Sequence, residues 1–466
     1  MDTSWVPVLA DDSGPKYLAL TRALREAVRS GALAEGRQLP TVRDLAWKIG
    51  VTPGTVSRAY QIVTQEGLLQ ATVGRGTFVA ARSPRLGPTQ PLFMERDPGV
   101  AQGRVDLRSP QLPDVGQGAF FADALRRMAD RIGRDWLDYT SQTGEAAVRA
   151  AVCGWMADRV LGPITAQDVM LTHGGQNGIG LVLDCCLRGD RPVVLTEDLG
   201  YPGFRYAARL ARAEVVGVEL DHEGIRPDAL EAACRKHAPQ VLFLTPETQN
   251  PTTARMSLDR RTQVIAIARA HDLQIIEDEC YTVPATDAPT LRALAPERVW
   301  YMGSLSKTVS AALRFGYVIC PTGMGETGRL TAQHGFFALS QPVAELCLDL
   351  FTSGAAVQIR AAVRRETADR LQLMVNRLGA YDLHWQPGLP FAWLNLPRGW
   401  RSSSFARAAQ DEGVHLRSAD QYALNTGRAP NAVRMAVPGG IPRAQYEAGL
   451  VVLARMLGQP PSDMAV

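Results

Sequence analysis

The hydrophobic pattern of the chain divides it into three parts. Between residues 16 and 30, Tyr17, Leu18, Leu20, Leu24, Ala27 and Val28 recur at helical spacing and stop at Gly31. Thr41, followed three residues later by Asp44, reads as a capping box opening a short helix through Leu45, Ala46 and Ile49, closed by Gly50. Thr52 then caps a second helix with Pro53 at its first position and Val56, Ala59, Tyr60, Ile62 and Val63 on its apolar face. Residues 68–79 alternate around Gly74-Arg75-Gly76, the pattern of a hairpin. Two short helices, a tight turn and a wing predict a winged helix-turn-helix, whose second helix suits a major groove. A helical protein-binding module is the alternative.

Residues 81–104 lose all periodicity and are rich in Pro, Gly and Arg, which predicts a flexible linker. From residue 105 onwards short apolar runs alternate with helical patterns. Strands are predicted over 168–172, 192–195, 214–220, 240–244, 273–278, 299–302 and 315–319. The expected fold is multidomain: a winged helix-turn-helix over 1–80, the linker, and an α/β body over 105–466 built on a mostly parallel seven-stranded sheet. The body divides into a large part, about 105–340, and, beyond a helical region over 336–377, a smaller α+β part, about 350–466. In such sheets ligands sit at the carboxyl ends of the strands.

Composition narrows this picture. A net charge of +3 excludes a polycation, so any nucleic-acid surface is local. Within residues 1–82 ten basic residues face seven acidic ones, modest support for phosphate contact. The seven cysteines show no CxxC spacing and read as reduced thiols; with no signal pattern and no run of membrane-spanning length, a cytoplasmic protein without a membrane segment is expected. Only Lys16, Lys48, Lys236 and Lys307 are lysines among the fifty basic residues. A lysine amine can lose its proton and attack a carbonyl, which a guanidinium cannot.

Lys307 follows a buried-strand pattern (Val299 to Met302) and Gly303-Ser304-Leu305-Ser306, with Arg314 seven residues on. That setting suits a Schiff base to a phosphorylated aldehyde; a solvated lysine in a Ser-rich loop is the alternative. Three further motifs fall at predicted strand ends. Gly174-Gly175-Gln176 before a helix offers N–H groups to an anion. Asn250 sits in the Pro-bounded loop 245–252. Glu277-Asp278-Glu279 ends an apolar strand, where a buried carboxylate needs a cationic partner such as a protonated pyridine nitrogen. Metal binding by this cluster competes, but no nearby histidine or second acidic cluster completes a site, so no metal is expected.

The head, through Leu39-Pro40-Thr41-Val42-Arg43, Val51-Thr52, Thr55-Val56, Ala59-Tyr60, Glu66-Gly67-Leu68 and Gly74-Arg75-Gly76-Thr77-Phe78-Val79, resembles the winged helix-turn-helix of GntR-type bacterial regulators. The resemblance implies that Arg43, Thr52, Thr55, Ser57, Arg58, Arg75 and Gly76 face DNA. The chain departs from the pattern at Pro53 and Ser57, where many members carry arginine. The body, from Tyr139 to Arg434 and above all through Ser304-Leu305-Ser306-Lys307 and Leu313-Arg314-Phe315-Gly316-Tyr317, resembles fold-type I pyridoxal-phosphate enzymes of the aminotransferase class I/II family. Head and body together look like the MocR-type regulators.

By that resemblance Lys307 forms the internal aldimine and Asp278 pairs with the pyridine N–H. Asn250 and Tyr281 approach the ring hydroxyl, and Tyr201 stacks on the ring. Gly175, Gln176, Ser304, Ser306 and Arg314 hold the phosphate. Arg434 grips a substrate or effector carboxylate, with Arg205 a second candidate. One departure stands in the body: Thr253 replaces the usual glycine after Asn-Pro-Thr. The expected function is a transcriptional regulator that binds promoter DNA as a homodimer and senses pyridoxal 5'-phosphate, an amino acid or another amino compound. A working aminotransferase with an accessory head is the alternative. A serine hydrolase of the SxxK type is disfavoured, because its Ser-Asp-Asn and Lys-Thr-Gly motifs are absent.

Overall fold

The computed structural model describes residues 5–7, 9, 15–34, 36–72, 76–80, 98–138, 144–281, 288–424 and 429–459. The chain separates into two compact units, Met1–Met94 and Glu95–Val466.

In the first unit α1 (Lys16–Arg29), α2 (Val42–Lys48) and α3 (Pro53–Gln65) bury Leu20, Leu24, Leu45, Val56, Ala59 and Val63 in one core. The expected N-caps form: the Asp44 N–H donates to Thr41 Oγ1 at 3.2 Å, and the Thr55 N–H to Thr52 Oγ1 at 3.3 Å. The return half of the capping box differs, since the Thr41 hydroxyl donates to the Asp44 carboxylate at 2.7 Å. Gly50, at φ +63°, lets the chain leave α2 and turn into α3. Leu69–Thr72 and Gly76–Val79 pair as the antiparallel wing.

The second unit is built on seven strands: β1 (Val169–Thr172), β2 (Val193–Glu197), β3 (Glu214–Val218), β4 (Val241–Leu244), β5 (Gln274–Asp278), β6 (Val299–Ser304) and β7 (Gly316–Ile319). Their order is β1-β7-β6-β5-β4-β2-β3, parallel throughout except that β7 runs antiparallel to both neighbours. The reversal follows from chain length. Residues 305–315 link β6 to β7 and are too few for the helical crossover that parallel neighbours need. Helices cover both faces, which is why β1, β4, β6 and β7 are buried along their whole length. Ile179, Val182 and Ala332 pack on one face against Met170, Ile276 and Trp300, while Val148, Val152 and Ile359 pack against Tyr301 and Tyr317 on the other.

A smaller antiparallel sheet holds β8 (Leu383–His384), β9 (Phe391–Asn395), β10 (Arg417–Ser418) and β11 (Ala432–Ala436) in the order β8-β9-β11-β10. Helices Ala355–Leu378 and Arg443–Gly458 pack on it through Leu371, Met374, Tyr446 and Leu450. Val105–Asp106 pairs in parallel with Val414–His415 as a separate two-stranded sheet. Among the described residues no single helix is long and apolar enough to cross a membrane, and no group of three or more side chains gathers that could hold a metal ion.

Candidate functional site

β5 ends at Asp278, and β6 runs through Ser304 into the 3-10 turn Leu305–Lys307. The Asp278 carboxylate is buried and accepts a hydrogen bond from the Cys280 N–H at 2.9 Å. Among the described residues no basic side chain pairs with it. Burial, incompletely offset by the bond from Cys280, pushes its pKa upward. A buried carboxylate without a cation is costly, and a protonated ring nitrogen is the group that would relieve it. Lys307 is half-buried, with Nζ 5.8 Å from the centroid of the Tyr281 ring. Tyr281 in turn packs edge-on against Phe391 at 5.2 Å.

The turn after β1 makes an opening for an anion. Gly174 has φ +84°, and a Cβ there would lie 2.8 Å from Nη2 of Arg314. A Cβ on Gly175 would lie 2.7 Å from Sγ of Cys280. Glycine at both positions therefore keeps the N-terminus of helix Gly175–Cys186 open beside Arg314. Register does the rest: Ser304 lies opposite Gly316, and Gly316 opposite Thr172, so the serine turn, Arg314 and the helix N-terminus meet. Ser304 Oγ accepts from the Ser306 N–H at 3.0 Å, and Arg314 donates to the His173 carbonyl at 3.0 Å. Gln176 is tied to Tyr201, whose hydroxyl donates to Gln176 Oε1 at 3.2 Å, while Gln176 Nε2 donates to the Gly203 carbonyl at 2.9 Å.

Arg434, in the middle of β11, is 4% exposed. Its Nη1 donates to Asn250 Oδ1 at 3.0 Å and to the Tyr422 hydroxyl at 2.9 Å. Its Nε and Nη2 are buried, and among the described residues neither has a hydrogen-bond partner. Those two nitrogens form one edge of the guanidinium fork, the edge a carboxylate accepts from bidentately. Leaving them unmet costs about 1–3 kcal/mol per group, and a carboxylate is a group that would relieve that cost. Arg205 is engaged differently: it donates to the carbonyls of Ala423 (2.6 Å) and Gln421 (3.1 Å), holding the segment that carries Tyr422.

Thr253 adopts φ +67°, the conformation a glycine would take, and donates its N–H to the Gln249 carbonyl at 2.8 Å. Thr253 thus closes a hydrogen-bonded turn in the Asn250 loop with a backbone conformation that suits glycine. Several neighbours of the site carry no sequence motif. Tyr422 and Phe391 surround Arg434, whose guanidinium carbon lies 4.5 Å from the Phe391 centroid. Glu197, at the end of β2, is fully buried, and its Oε2 accepts from Thr245 Oγ1 and Gln249 Nε2, both at 3.1 Å. Burial, with the Asp278 charge adding to it, pushes its pKa up to about 7. Only the unusual position of an acid at the end of an apolar strand could have flagged it.

In the head, Arg43, Thr52 and Ser57 are exposed, and Thr55 Oγ1 lies 3.0 Å from Thr52 Oγ1. The Arg58 guanidinium packs 3.9 Å over the Tyr17 ring, towards α1. Gly76 has φ +109°, and Arg75 lies outside the described residues. Trp47, one turn beyond Arg43 on α2, is 85% exposed, and no sequence signal singled it out.

Residues 105–453 match the family described as aminotransferase class I and II, and residues 16–79 match the bacterial regulatory proteins of the gntR family. The chain is 28% identical over 462 residues to the uncharacterized HTH-type transcriptional regulator YdeF of Bacillus subtilis (strain 168), covering 97% of each. It is 28% identical over 375 residues to the HTH-type pyridoxine biosynthesis transcriptional regulator PdxR of Corynebacterium glutamicum, covering 77% of this chain and 78% of that one. The solved structure of LysN, an alpha-aminoadipate aminotransferase from Thermus thermophilus complexed with N-(5'-phosphopyridoxyl)-L-leucine, superposes with a TM-score of 0.64 at 25% identity, over 77% of this chain and 93% of LysN.

Proposed function

Because the chain belongs to the aminotransferase class I and II family and carries a gntR-family head, we propose that it is a MocR-type transcriptional regulator that binds promoter DNA through the head and pyridoxal 5'-phosphate, with an amino-compound effector, through the body. The observation that carries the ligand half is Asp278, a buried carboxylate without a described cationic partner at the end of the strand beside the Lys307 strand. The bound cofactor supplies an aldehyde that condenses with amines and a ring that draws electrons. Around it, Asp278 holds a proton at the ring nitrogen, and Asn250 and Tyr281 orient the ring hydroxyl. Tyr201 covers one face. Gly175, Gln176, Ser304, Ser306 and Arg314 bind the phosphate, and Lys307 offers its amine to the aldehyde. Arg434 receives the carboxylate of the effector.

In the head, Arg43, Thr52, Thr55, Ser57, Arg58, Arg75 and Gly76 are the proposed DNA contacts. A cytoplasmic homodimer, bringing two heads to two half-sites, fits this role. PdxR is named as a regulator of pyridoxine biosynthesis, so the cofactor itself is a candidate signal here. A working transaminase is the second reading, favoured by the complete set of residues that the chemistry needs.

Absorbance tests the proposal. Protein incubated with pyridoxal 5'-phosphate acquires a visible band that Lys307→Ala lacks while keeping the wild-type far-ultraviolet circular dichroism. A wild-type protein that takes up no cofactor sinks the reading, and steady conversion of an amino acid to its keto acid supports the transaminase instead.

A further inference from the structure

Glu197 ends β2 as a buried acid, and both side-chain hydrogen bonds it accepts come from the loop that carries Asn250. Its Oε2 accepts from Thr245 Oγ1 and from Gln249 Nε2, each at 3.1 Å. Its Oε1 is buried with no hydrogen-bond partner among the described residues. Both donors reach on to Asn250. The Asn250 N–H donates to Thr245 Oγ1 at 3.3 Å, and Gln249 Nε2 donates to the Asn250 carbonyl at 3.3 Å. Gln249 also ties the loop to itself and to the end of β2. Its Nε2 donates to the Leu199 carbonyl at 2.6 Å, and its Oε1 accepts from the Thr252 N–H at 2.8 Å and hydroxyl at 2.6 Å.

Proton counting gives these contacts a direction. A threonine hydroxyl has one proton to donate. The Glu197 oxygen takes that proton, which fixes the rotation of the Thr245 hydroxyl and so the lone pair it offers to Asn250. Thr245, Gln249 and Asn250 are buried like Glu197, so water does not compete for these bonds. The Asn250 side chain is engaged on one side only: its Oδ1 accepts from Arg434 Nη1 at 3.0 Å, which leaves its amide N–H groups as donors for a ring hydroxyl.

We propose that Glu197 is a positioning residue that acts through Thr245 and Gln249 to hold Asn250 between Arg434 and the ring hydroxyl of the cofactor. This rests on the reading of the body as a pyridoxal-phosphate site. An Asn250 N–H on the ring oxygen stabilises negative charge there. Without it, that charge holds the proton on the Lys307 nitrogen more tightly, and the pH at which the cofactor's visible band titrates moves up.

The test uses the full chain loaded with pyridoxal 5'-phosphate and reads the midpoint of that titration. Asn250→Ala and Glu197→Ala are each expected to raise it by about half a unit or more, the scale of one hydrogen bond. Combined, the two raise it no further than Asn250→Ala alone, because the acid acts through the amide. Glu197→Gln, which can still accept both bonds, stays closer to wild type than to Glu197→Ala. Thr245→Val keeps the shape of the side chain, cuts the link and shifts the band upward, and it decides alone should Glu197→Ala not fold. A midpoint unchanged in Asn250→Ala, or in both Glu197→Ala and Thr245→Val, overturns the proposal and leaves the cofactor reading standing. So do shifts that add in the double variant, which a merely structural role would give, or a Glu197→Gln shift equal to that of Glu197→Ala. A wild-type protein that takes up no cofactor overturns both.

Discussion

Three residues concentrate the proposed chemistry. Lys307 and Asp278 stand at the ends of adjacent parallel strands, and Arg434 reaches them from the small sheet through Asn250. Behind them Glu197 gives the site a pH dependence. Its carboxyl is fully buried, and burial pushes its pKa from 4.5 up to about 7. The folded chain therefore holds this proton between about pH 4.5 and 7, where the unfolded chain has released it. Its stabilising effect is complete below the unfolded value and is lost as pH rises through about 7. Gln is the uncharged equivalent and can keep the bonds from Thr245 and Gln249. Denaturant melts of the cofactor-free protein at pH 5 and pH 8 are thus expected to show a smaller loss of stability in Glu197→Gln than in wild type, by about 2–3 kcal/mol. Equal pH slopes for the two proteins would mean that Glu197 titrates normally. Thr253 marks a different kind of residue effect: a β-branched side chain at φ +67° shows the loop geometry overriding local preference.

At the scale of elements, the strand–turn–helix unit from β1 into helix Gly175–Cys186 carries the proposed phosphate site. Gly174 is its hinge, with positive φ and Arg314 against the place of its missing side chain. Gly174→Ala is expected to cost about 1–3 kcal/mol through backbone strain and displacement of Arg314, and to weaken cofactor binding by at least about tenfold. Equilibrium dialysis with pyridoxal 5'-phosphate measures this, and an affinity equal to wild type would remove Gly174 and Arg314 from the phosphate site. Elements of this kind were legible because their signals are local: caps at Thr41 and Thr52, apolar runs for buried strands, and glycine turns at their ends. What stayed hidden is long-range. The antiparallel entry of β7 depends on the length of the 305–315 link. The pairing of Val105–Asp106 with Val414–His415 joins segments some three hundred residues apart. Tyr422, Phe391 and Arg417 come to Arg434 through sheet register, which no spacing along the chain encodes. Arg58, placed by its motif on a recognition helix, shows the same limit from the other side, since a neighbouring helix offers it the Tyr17 ring.

At the scale of the whole molecule, a DNA-binding head and a ligand-binding body share one chain, as two compact units. A regulator requires that the two sites be linked in free energy: ligand at Lys307 must favour one state of the DNA-binding protein over another. A transaminase with an accessory head requires no such link. The affinity of the full-length protein for a fragment of its own promoter region, measured at one fixed salt concentration with and without pyridoxal 5'-phosphate and amino acid, in wild type and in Lys307→Ala, separates the two directly. Saturating ligand is expected to change the wild-type affinity at least about fivefold and to leave that of Lys307→Ala unchanged; a wild-type affinity indifferent to ligand, or a variant that responds equally, would contradict a regulatory role for the body.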